Sequence, residues 1–532
     1  MTDAAGARPP PGGEPARFAL LLFLSLVLGA LAALSFAPAS LFYGPILALA
    51  VLLLMWRAAG SARRAAALGY AFGLGLFGAG VSWVYVSLAD FGGMPEFIAV
   101  LATAMFCMIL ALYPAAVGCA QHRLGGSFPM RALLTVPALW ALADWLRDVV
   151  TGFPWLAWGY SQVGTSPLTA YAPIFGVFGV SLATALAAGL LALALSPGLD
   201  RFVDRTTPGA VMPQAAFPHT FPLLSFFCGA GLLALFGLGF GLRDITWTEP
   251  AGPPLKVALL QGNIAQNLKF EEEWYQQTLT TYRTLALSTD ARLVVWPETA
   301  IPRLLDTVDE DYLEGLKKRA VAAGADMLIG VPHRDEQDRY YNSVVSFGAS
   351  RTQSYSKTHL VPFGEFIPTG FHWVLVILNI PMGEFTRGAD DPAPLAVAGT
   401  QVAVNICYED AFGEEIIRQL PAANLLVNVS NVAWFGHSIA PDQHLQISRM
   451  RAIETGRPML RATNTGVTAA IDADGKVIAA LPQFIEAVLT ARVQPRAGAT
   501  PFIRAGNLPL LAIVFAMLAV AAALGRRAPG SR

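Results

Sequence analysis

Two hydrophobic patterns divide the chain. Over 17–247, and again over 506–525, apolar residues run almost unbroken, in stretches near 18–36, 41–56, 66–88, 95–118, 132–150, 168–196, 220–242 and 507–525. Such runs reach or approach the roughly 20 residues that a helix needs to cross about 30 Å of hydrocarbon. The pattern therefore predicts about eight transmembrane helices, those at 41–56 and 132–150 being the least regular. Between 254 and 495 the long runs give way to short strand-like ones at 256–260, 293–296, 327–331, 343–347, 402–406, 425–430, 468–471 and 488–492. These alternate with helical stretches at 271–288, 309–323 and 440–456. Strands alternating with helices predict α/β layers, and the short later strands predict a two-sheet sandwich. Residues 1–16 are rich in Pro, Gly and Ala without apolar periodicity and are expected to form a disordered tail, with a second short tail over 526–532. The expected architecture is a membrane α-helical bundle joined to an extramembrane α/β domain.

Charge gives the bundle a direction. Arg8 and Arg17 precede the first stretch, Arg57, Arg63 and Arg64 follow the second, and Arg123 and Arg131 follow the fourth. Arg201 and Arg205 follow the sixth stretch, and Arg526 and Arg527 the eighth, whereas the loops near 37–40 and 89–94 carry no Arg or Lys. The positive-inside rule then places both termini in the cytoplasm. Seven preceding spans put 248–505 on the opposite, periplasmic side. Composition agrees with a membrane protein: 54% of residues are apolar, 14% are charged, and the mean hydropathy is +0.50. A formal net charge of −1 with no dense basic patch argues against a nucleic-acid partner.

Most apparent motifs in the bundle dissolve on inspection. Gly73-Leu74-Gly75-Leu76-Phe77-Gly78 matches a dinucleotide fingerprint but lies inside an apolar stretch with no preceding strand, so close helix packing explains it better. Asp144 to Asp148, followed by the aromatic run from Phe153 to Tyr160, is expected at the headgroup level of the outer leaflet. There Arg147 and Trp155 would anchor the interface or form a docking surface for a lipid headgroup. Of the four cysteines, Cys107, Cys119 and Cys228 fall in apolar stretches, which leaves Cys407 without an obvious partner. No H-E-x-x-H run is present, and metal catalysis is not expected.

Cys407 ends the apolar run Val404-Asn405-Ile406 and is followed by Tyr408, Glu409 and Asp410. Glu298 follows a strand-like run through Trp296-Pro297, a buried setting that suits a general base. Lys357 lies in Lys357-Thr358-His359-Leu360-Val361-Pro362-Phe363-Gly364-Glu365 and, as a cation, is suited to offset negative charge on a tetrahedral intermediate. A carboxylate, an amine and a thiol near strand ends make a plausible base-assisted thiol catalyst.

These three stretches, in the order Glu, Lys, Cys, resemble the nitrilase or carbon–nitrogen hydrolase superfamily. Within the membrane context they resemble the apolipoprotein N-acyltransferase family, as do Tyr341-Asn342-Ser343, Ala433-Trp434-Phe435-Gly436 and the run from Arg461 to Thr468. The resemblance implies an αββα sandwich with Glu298 as base, Lys357 as oxyanion stabiliser and Cys407 as nucleophile. Glu365, Tyr408, Glu409, Asn342 and Trp434 match supporting positions. It implies transfer of the sn-1 acyl chain of a phospholipid such as phosphatidylethanolamine, through a Cys407 thioester, to the α-amine of a diacylglyceryl-cysteine apolipoprotein. No cofactor is expected, the location is the bacterial inner membrane, and the chain is expected to be a monomer. Two departures are visible: Val432 replaces an aspartate common in the family, and Phe270 stands where tryptophan is frequent. The residues alone also fit a membrane-tethered amidase with water as acceptor, or a transporter or receptor with a catalytically dead outer domain.

One further apolar run, 371–382, is too short to span. With Trp373 and Leu375 it is expected to form a mobile arm that dips into the outer leaflet, the alternative being a buried core segment.

Overall fold

The computed structural model describes residues 13–206, 221–367 and 385–525. The expected arm with Trp373 and Leu375 lies outside them, as do residues 1–12 and 526–532.

Each long apolar stretch becomes a helix. In chain order these are α1 (Gly13–Ala32), α2 (Gly44–Arg57), α3 (Ala62–Gly80), α4 (Glu96–Leu124), α5 (Val136–Thr151), α6 (Ala172–Thr206) and α7 (Phe221–Arg243). The first starts at Gly13, so residues 13–16 are helical rather than part of a tail. Among the described residues, five helical spans are long and apolar enough to cross a membrane: Glu14–Ser35, Glu96–Leu124, Pro167–Pro197, Leu223–Arg243 and Leu508–Gly525. A sixth arises if Ala62–Gly80 and Val84–Phe91, bent by 56°, are taken together. All eight expected stretches are helical, and among the described residues five to six of them are this long and apolar. Two of the expected eight fall short for a simple reason: α2 has 14 residues, and α5 has 16 and carries Asp144, Arg147 and Asp148.

Small residues let α3 sit deep between its neighbours. A Cβ on Gly73 would lie 2.7 Å from the Ala111 Cα in α4, and one on Gly75 would strike the Leu26 carbonyl of α1. The glycine run is a helix-packing surface, as its apolar context predicts.

The domain that follows has fourteen strands among the described residues. After β1 (Thr248–Pro250) come β2 (Leu255–Gln261), β3 (Leu293–Val295), β4 (Asp326–Arg334), β5 (Tyr340–Gly348) and β6 (Ser354–Ser356). Next are β7 (Leu395–Val397), β8 (Thr400–Ile406), β9 (Leu425–Ser430), β10 (Met459–Thr463), β11 (Ala469–Ile471), β12 (Val477–Ala480), β13 (Ala487–Val493) and β14 (Arg496–Gly498). One sheet has the order β13-β2-β3-β4-β5-β6 and the other β12-β11-β10-β9-β8-β7. Each has a parallel trio at its centre, β2-β3-β4 and β8-β9-β10, flanked by antiparallel strands.

Alternation along the central strands creates the layers. Val257, Leu259, Val295 and Leu328 pack with Val404, Ile406, Val427 and Val429 between the sheets. The intervening Ala258, Leu260, Val294 and Ile329 face Tyr275, Leu279 and Leu316 of α8 (Glu272–Leu287) and α9 (Glu310–Ala322). On the other side, Ala403, Leu426 and Met459 pack with Ala452 of α10 (Ala440–Thr455). Strands buried on both faces read as continuous apolar runs, and the result is the expected αββα order. The last helix, α11 (Leu508–Gly525), returns to the bundle.

Bundle and domain share one core. Ala411, Phe412, Ala440, Ile447 and Met450 cluster with Leu76, Trp83, Trp155 and Val177. Polar bonds cross the same junction. The Gln443 Oε1 accepts from the indoles of Trp83 (3.0 Å) and Trp155 (2.8 Å), while its Nε2 donates to the Gly80 carbonyl at 3.0 Å. At Gly176 the backbone of α6 breaks with φ +68°, and the freed Val177 N–H donates to Glu454 Oε1 at 2.6 Å. A side chain at 176 would also run into the Phe502 ring, at 2.5 Å.

Arg147 and Trp155 serve this junction from the inside. Arg147 is 1% exposed and pairs with Asp144 at 2.9 Å while donating to the carbonyls of Phe153 and Trp155. Both side chains, expected at the headgroup level, are buried within the protein, where the aromatic run folds back over α5. Replacing Gln443 with Leu leaves the Trp155 indole N–H without its acceptor in an apolar setting. This should cost about 1–3 kcal/mol, seen as a lowered Tm of the detergent-solubilised chain; an unchanged Tm would contradict the role assigned to this amide.

Candidate active site

Strand ends from both sheets deliver the candidate residues to one place. Glu298 follows β3, Asn342 is on β5, Lys357 directly follows β6, and Cys407 directly follows β8. Lys357 is 1% exposed, and its Nζ lies 2.8 Å from Glu365 Oε2 and 3.8 Å from Glu298 Oε1. The Asn342 amide bridges the two carboxylates, donating to Glu298 Oε1 at 2.7 Å and Glu365 Oε1 at 2.9 Å. The Asn431 backbone N–H donates to the second Glu298 oxygen at 2.8 Å, and that of Val361 to Glu365 at 2.8 Å. Two carboxylates can sit this close because a buried cation and shared donors offset their repulsion.

Burial alone would lower the pKa of Lys357, but the charges of Glu365 and then Glu298 outweigh it and hold the ammonium well above the ordinary lysine range. Lys357 is therefore a fixed cation and no base. Burial, and next the Glu298 charge, push the Cys407 thiol well above the ordinary cysteine range against the pull of Lys357. At rest the sulfur is protonated, so any nucleophilic role requires proton removal during attack.

Cys407 has φ +54°, a left-handed conformation that a residue with a Cβ rarely adopts and that costs about 1–3 kcal/mol. It opens a short helical turn, Cys407–Ala411, directly off the strand. Glu409 binds this turn to the lysine loop. Its carboxylate accepts from the N–H of Ile406 (2.6 Å), the N–H and Oγ1 of Thr358 (2.6 and 3.0 Å), the N–H of His359 (3.0 Å) and the Tyr355 hydroxyl (2.8 Å). Tyr408 points the other way, stacking on Trp155 and packing edge-on to Phe412. Trp434 lies beside the bundle: its carbonyl accepts from Ser87 Oγ at 2.8 Å, and its ring meets Phe91. The structure thus gathers Glu298, Lys357, Glu365, Asn342, Glu409 and Cys407, and places Tyr408, Trp434, Trp155 and Arg147 at the junction with the bundle. Val432, one of the two departures, is buried and packs toward Gly466; Phe270, the other, is exposed.

Residues that sequence reasoning missed complete the site. Lys269, 2% exposed between β2 and α8, donates to the Glu298 carbonyl at 3.1 Å. Burial, opposed by Glu298 and Cys407, brings its pKa down to about 8. Asn464 ties its loop down, donating to the Ile264 carbonyl and accepting from the Ile264 N–H. The only sequence signal was a lysine in a chain with six of them.

A cysteine-bearing αββα sandwich of this kind defines a carbon–nitrogen hydrolase domain, and the family described as carbon-nitrogen hydrolase matches residues 256–502. A second family, described as apolipoprotein N-acyltransferase N-terminal domain, matches residues 28–190. The chain is 47% identical to an apolipoprotein N-acyltransferase of Nitrosomonas europaea, over 95% of this chain and 98% of that one. It is 42% identical to one of Chromobacterium violaceum over the full length of both. A Methylococcus capsulatus counterpart is 44% identical over 95% of this chain and 96% of its own. The chain belongs to the apolipoprotein N-acyltransferase family: it is a membrane acyltransferase of lipoprotein maturation.

Lys269 gives this site a pH signature. Its positive charge faces Glu298 and Cys407 below about pH 8 and is lost above it. Acyl-transfer rate should fall by about three- to tenfold as pH rises through that value. In Lys269→Met the plateau should drop and the alkaline fall disappear; an identical pH profile in the variant would refute the assignment.

Proposed function

We propose that Cys407 carries a fatty acyl thioester between a phospholipid and an apolipoprotein amine. Glu298 takes the thiol proton as sulfur attacks the sn-1 ester carbonyl of a phospholipid such as phosphatidylethanolamine. The carbonyl π electrons move to oxygen, and that charge is met by the Lys357 ammonium and a backbone N–H near Tyr408. Collapse breaks the ester C–O bond, Glu298 returns the proton to the departing glycerol oxygen, and lysophospholipid leaves. In the second half the neutral α-amine of an S-diacylglyceryl-cysteine attacks the thioester. Glu298 receives the amine proton, the C–S bond breaks, and Cys407 regains its proton as the amide is released.

The observation that carries this reading is the buried Lys357 cation held between Glu365 and Glu298, at 2.8 and 3.8 Å, beside a thiol held in its protonated form. A fixed cation beside a carboxylate and a neutral thiol suits an oxyanion that exists only during transfer. The exposed rings of Phe270, Phe363 and Trp434, each a few residues from Lys269, Glu365 or Asn431, offer apolar contact for an acyl chain. On the arginine pattern both termini are cytoplasmic and the catalytic domain faces the periplasm of the inner membrane, where a phospholipid and a membrane-anchored acceptor meet in one leaflet.

The test is intact-mass analysis after incubation with phosphatidylethanolamine vesicles. The native chain should gain one fatty acyl mass and release an equal amount of lysolipid; Cys407→Ala should gain none. Adding a diacylglyceryl-cysteine peptide should discharge the adduct onto its amine. Lysolipid turning over without any amine acceptor would point to hydrolysis instead, and an adduct on Cys407→Ala would refute the thioester.

A further inference from the structure

Cys407 is strained, and the structure shows what holds it. Its carbonyl oxygen receives two buried side-chain donors, Asn428 Nδ2 at 2.9 Å and His444 Nε2 at 3.2 Å. His444 Nε2 also lies 2.6 Å from Asp410 Oδ1. A main-chain carbonyl only accepts. Burial would raise the Asp410 carboxyl, but His444, Arg461 and Ser448 outweigh it and keep it below the ordinary carboxylate range. Both partners being acceptors, the ring proton sits on Nε2. Burial, and then the Arg461 charge, hold His444 below the ordinary histidine range against Asp410, so the ring is neutral. Its Nδ1 is buried with no hydrogen-bond partner among the described residues.

The carboxylate that orients this ring is itself fixed. Asp410, fully buried, also accepts from Arg461 Nη1 at 3.1 Å and from the Ser448 hydroxyl. Arg461 Nη1 reaches Asn428 Oδ1 at 2.8 Å, so both donors to the Cys407 carbonyl belong to one network. The preceding residue on α10 is Gln443, whose amide grips Trp83 and Trp155 of the bundle. The Trp155 ring lies 5.3 Å from the His444 ring. Successive residues of one helix turn therefore hold the membrane bundle and the nucleophile.

We propose that His444 is a positioning residue: its Nε2–H, aimed by Asp410, holds the Cys407 main chain in the left-handed conformation that presents the sulfur, and α10 ties that conformation to the bundle. The inference rests on the reading of Cys407 as the acyl carrier. It assigns His444 no proton transfer, because its only N–H is committed to Asp410 and the Cys407 carbonyl.

The full-length chain in detergent serves for the test, with two readouts located by peptide mass: iodoacetamide alkylation of Cys407, and the acyl adduct formed from phosphatidylethanolamine vesicles. His444→Leu, which keeps bulk but no donor, should slow both by at least about tenfold, with the lipid concentration for half-maximal rate unchanged. His444→Gln, whose amide N–H replaces the donor, should recover both to within about threefold of the native chain. A folded His444→Leu within about twofold of native in both readouts overturns the proposal, as does equal slowing of the Leu and Gln variants. Should His444→Leu not fold, His444→Asn decides on the same thresholds, since its shorter side chain cannot reach both oxygens. A native chain that alkylates at Cys407 but accepts no acyl group sinks the thioester reading instead, and alkylation alone then decides the role of His444.

Discussion

An ammonium group taken out of water needs compensating charge nearby, and in this domain that constraint organises everything around Lys357. The cost of burying a lone cation is several kcal/mol even after relaxation. Glu365 and Glu298 supply the compensation, yet two carboxylates around one cation leave an excess of negative charge, which Lys269 offsets only in part below about pH 8. Asn342, Asn431 and the Val361 N–H spread that excess over further donors. Burial first, and then the Glu298 charge, keep Cys407 protonated, because a thiolate here would be poorly solvated and beside another negative charge. A neutral thiol beside a satisfied cation is thus a consequence of the packing, and the chemistry inherits it.

The second constraint is mechanical. A catalytic domain joined to a membrane bundle only by chain termini would be free to tilt. Here the two share a core, and polar bonds through Gln443 and Glu454 fix their relation in a region with little water to compete for those groups. Both polar contacts engage α10, which also lies behind the Cys407 turn. Arg451 on that helix pairs with Glu454 at 2.9 Å and reaches toward the Ala411 carbonyl at 3.4 Å, at the end of the same turn. The helix that carries Gln443, His444, Arg451 and Glu454 is polar in sequence because its partners are backbone carbonyls, indoles, the Asp410 carboxylate and one freed N–H, all buried.

That polarity marks the boundary of what the sequence discloses. Central strands such as Leu255–Gln261 and Leu425–Ser430 were legible because burial on both faces makes them continuous apolar runs. The short strands Ser354–Ser356 and Leu395–Val397 were not, since each gains its identity from the neighbour it pairs with. Glu298, Lys357 and Cys407 stood out through chemistry at strand ends. Lys269 and the Asp410–His444–Arg461 group did not, because a buried polar network is written as scattered charged residues, indistinguishable from surface until the fold closes over them. The burial of Arg147 was illegible for the same reason: charge at the end of an apolar stretch reads as a headgroup anchor, whereas the returning aromatic loop supplies it with carbonyls, and Asp144 of its own helix with a carboxylate, inside the protein.

The geometry also separates the two carboxylates beside Lys357. Glu365 lies a full ångström closer to the Lys357 ammonium than Glu298 does, at 2.8 against 3.8 Å. On the proposed chemistry Glu298 takes up a proton in each half-reaction, and its negative charge disappears while the proton is held. Were Glu298 the main partner of Lys357, that step would strand a buried cation just as the oxyanion forms. With Glu365 as the close partner, the ammonium stays paired throughout, and neutralising Glu298 releases part of its field toward the developing oxyanion. The unequal distances thus let one carboxylate hold the cation while the other is free to exchange a proton.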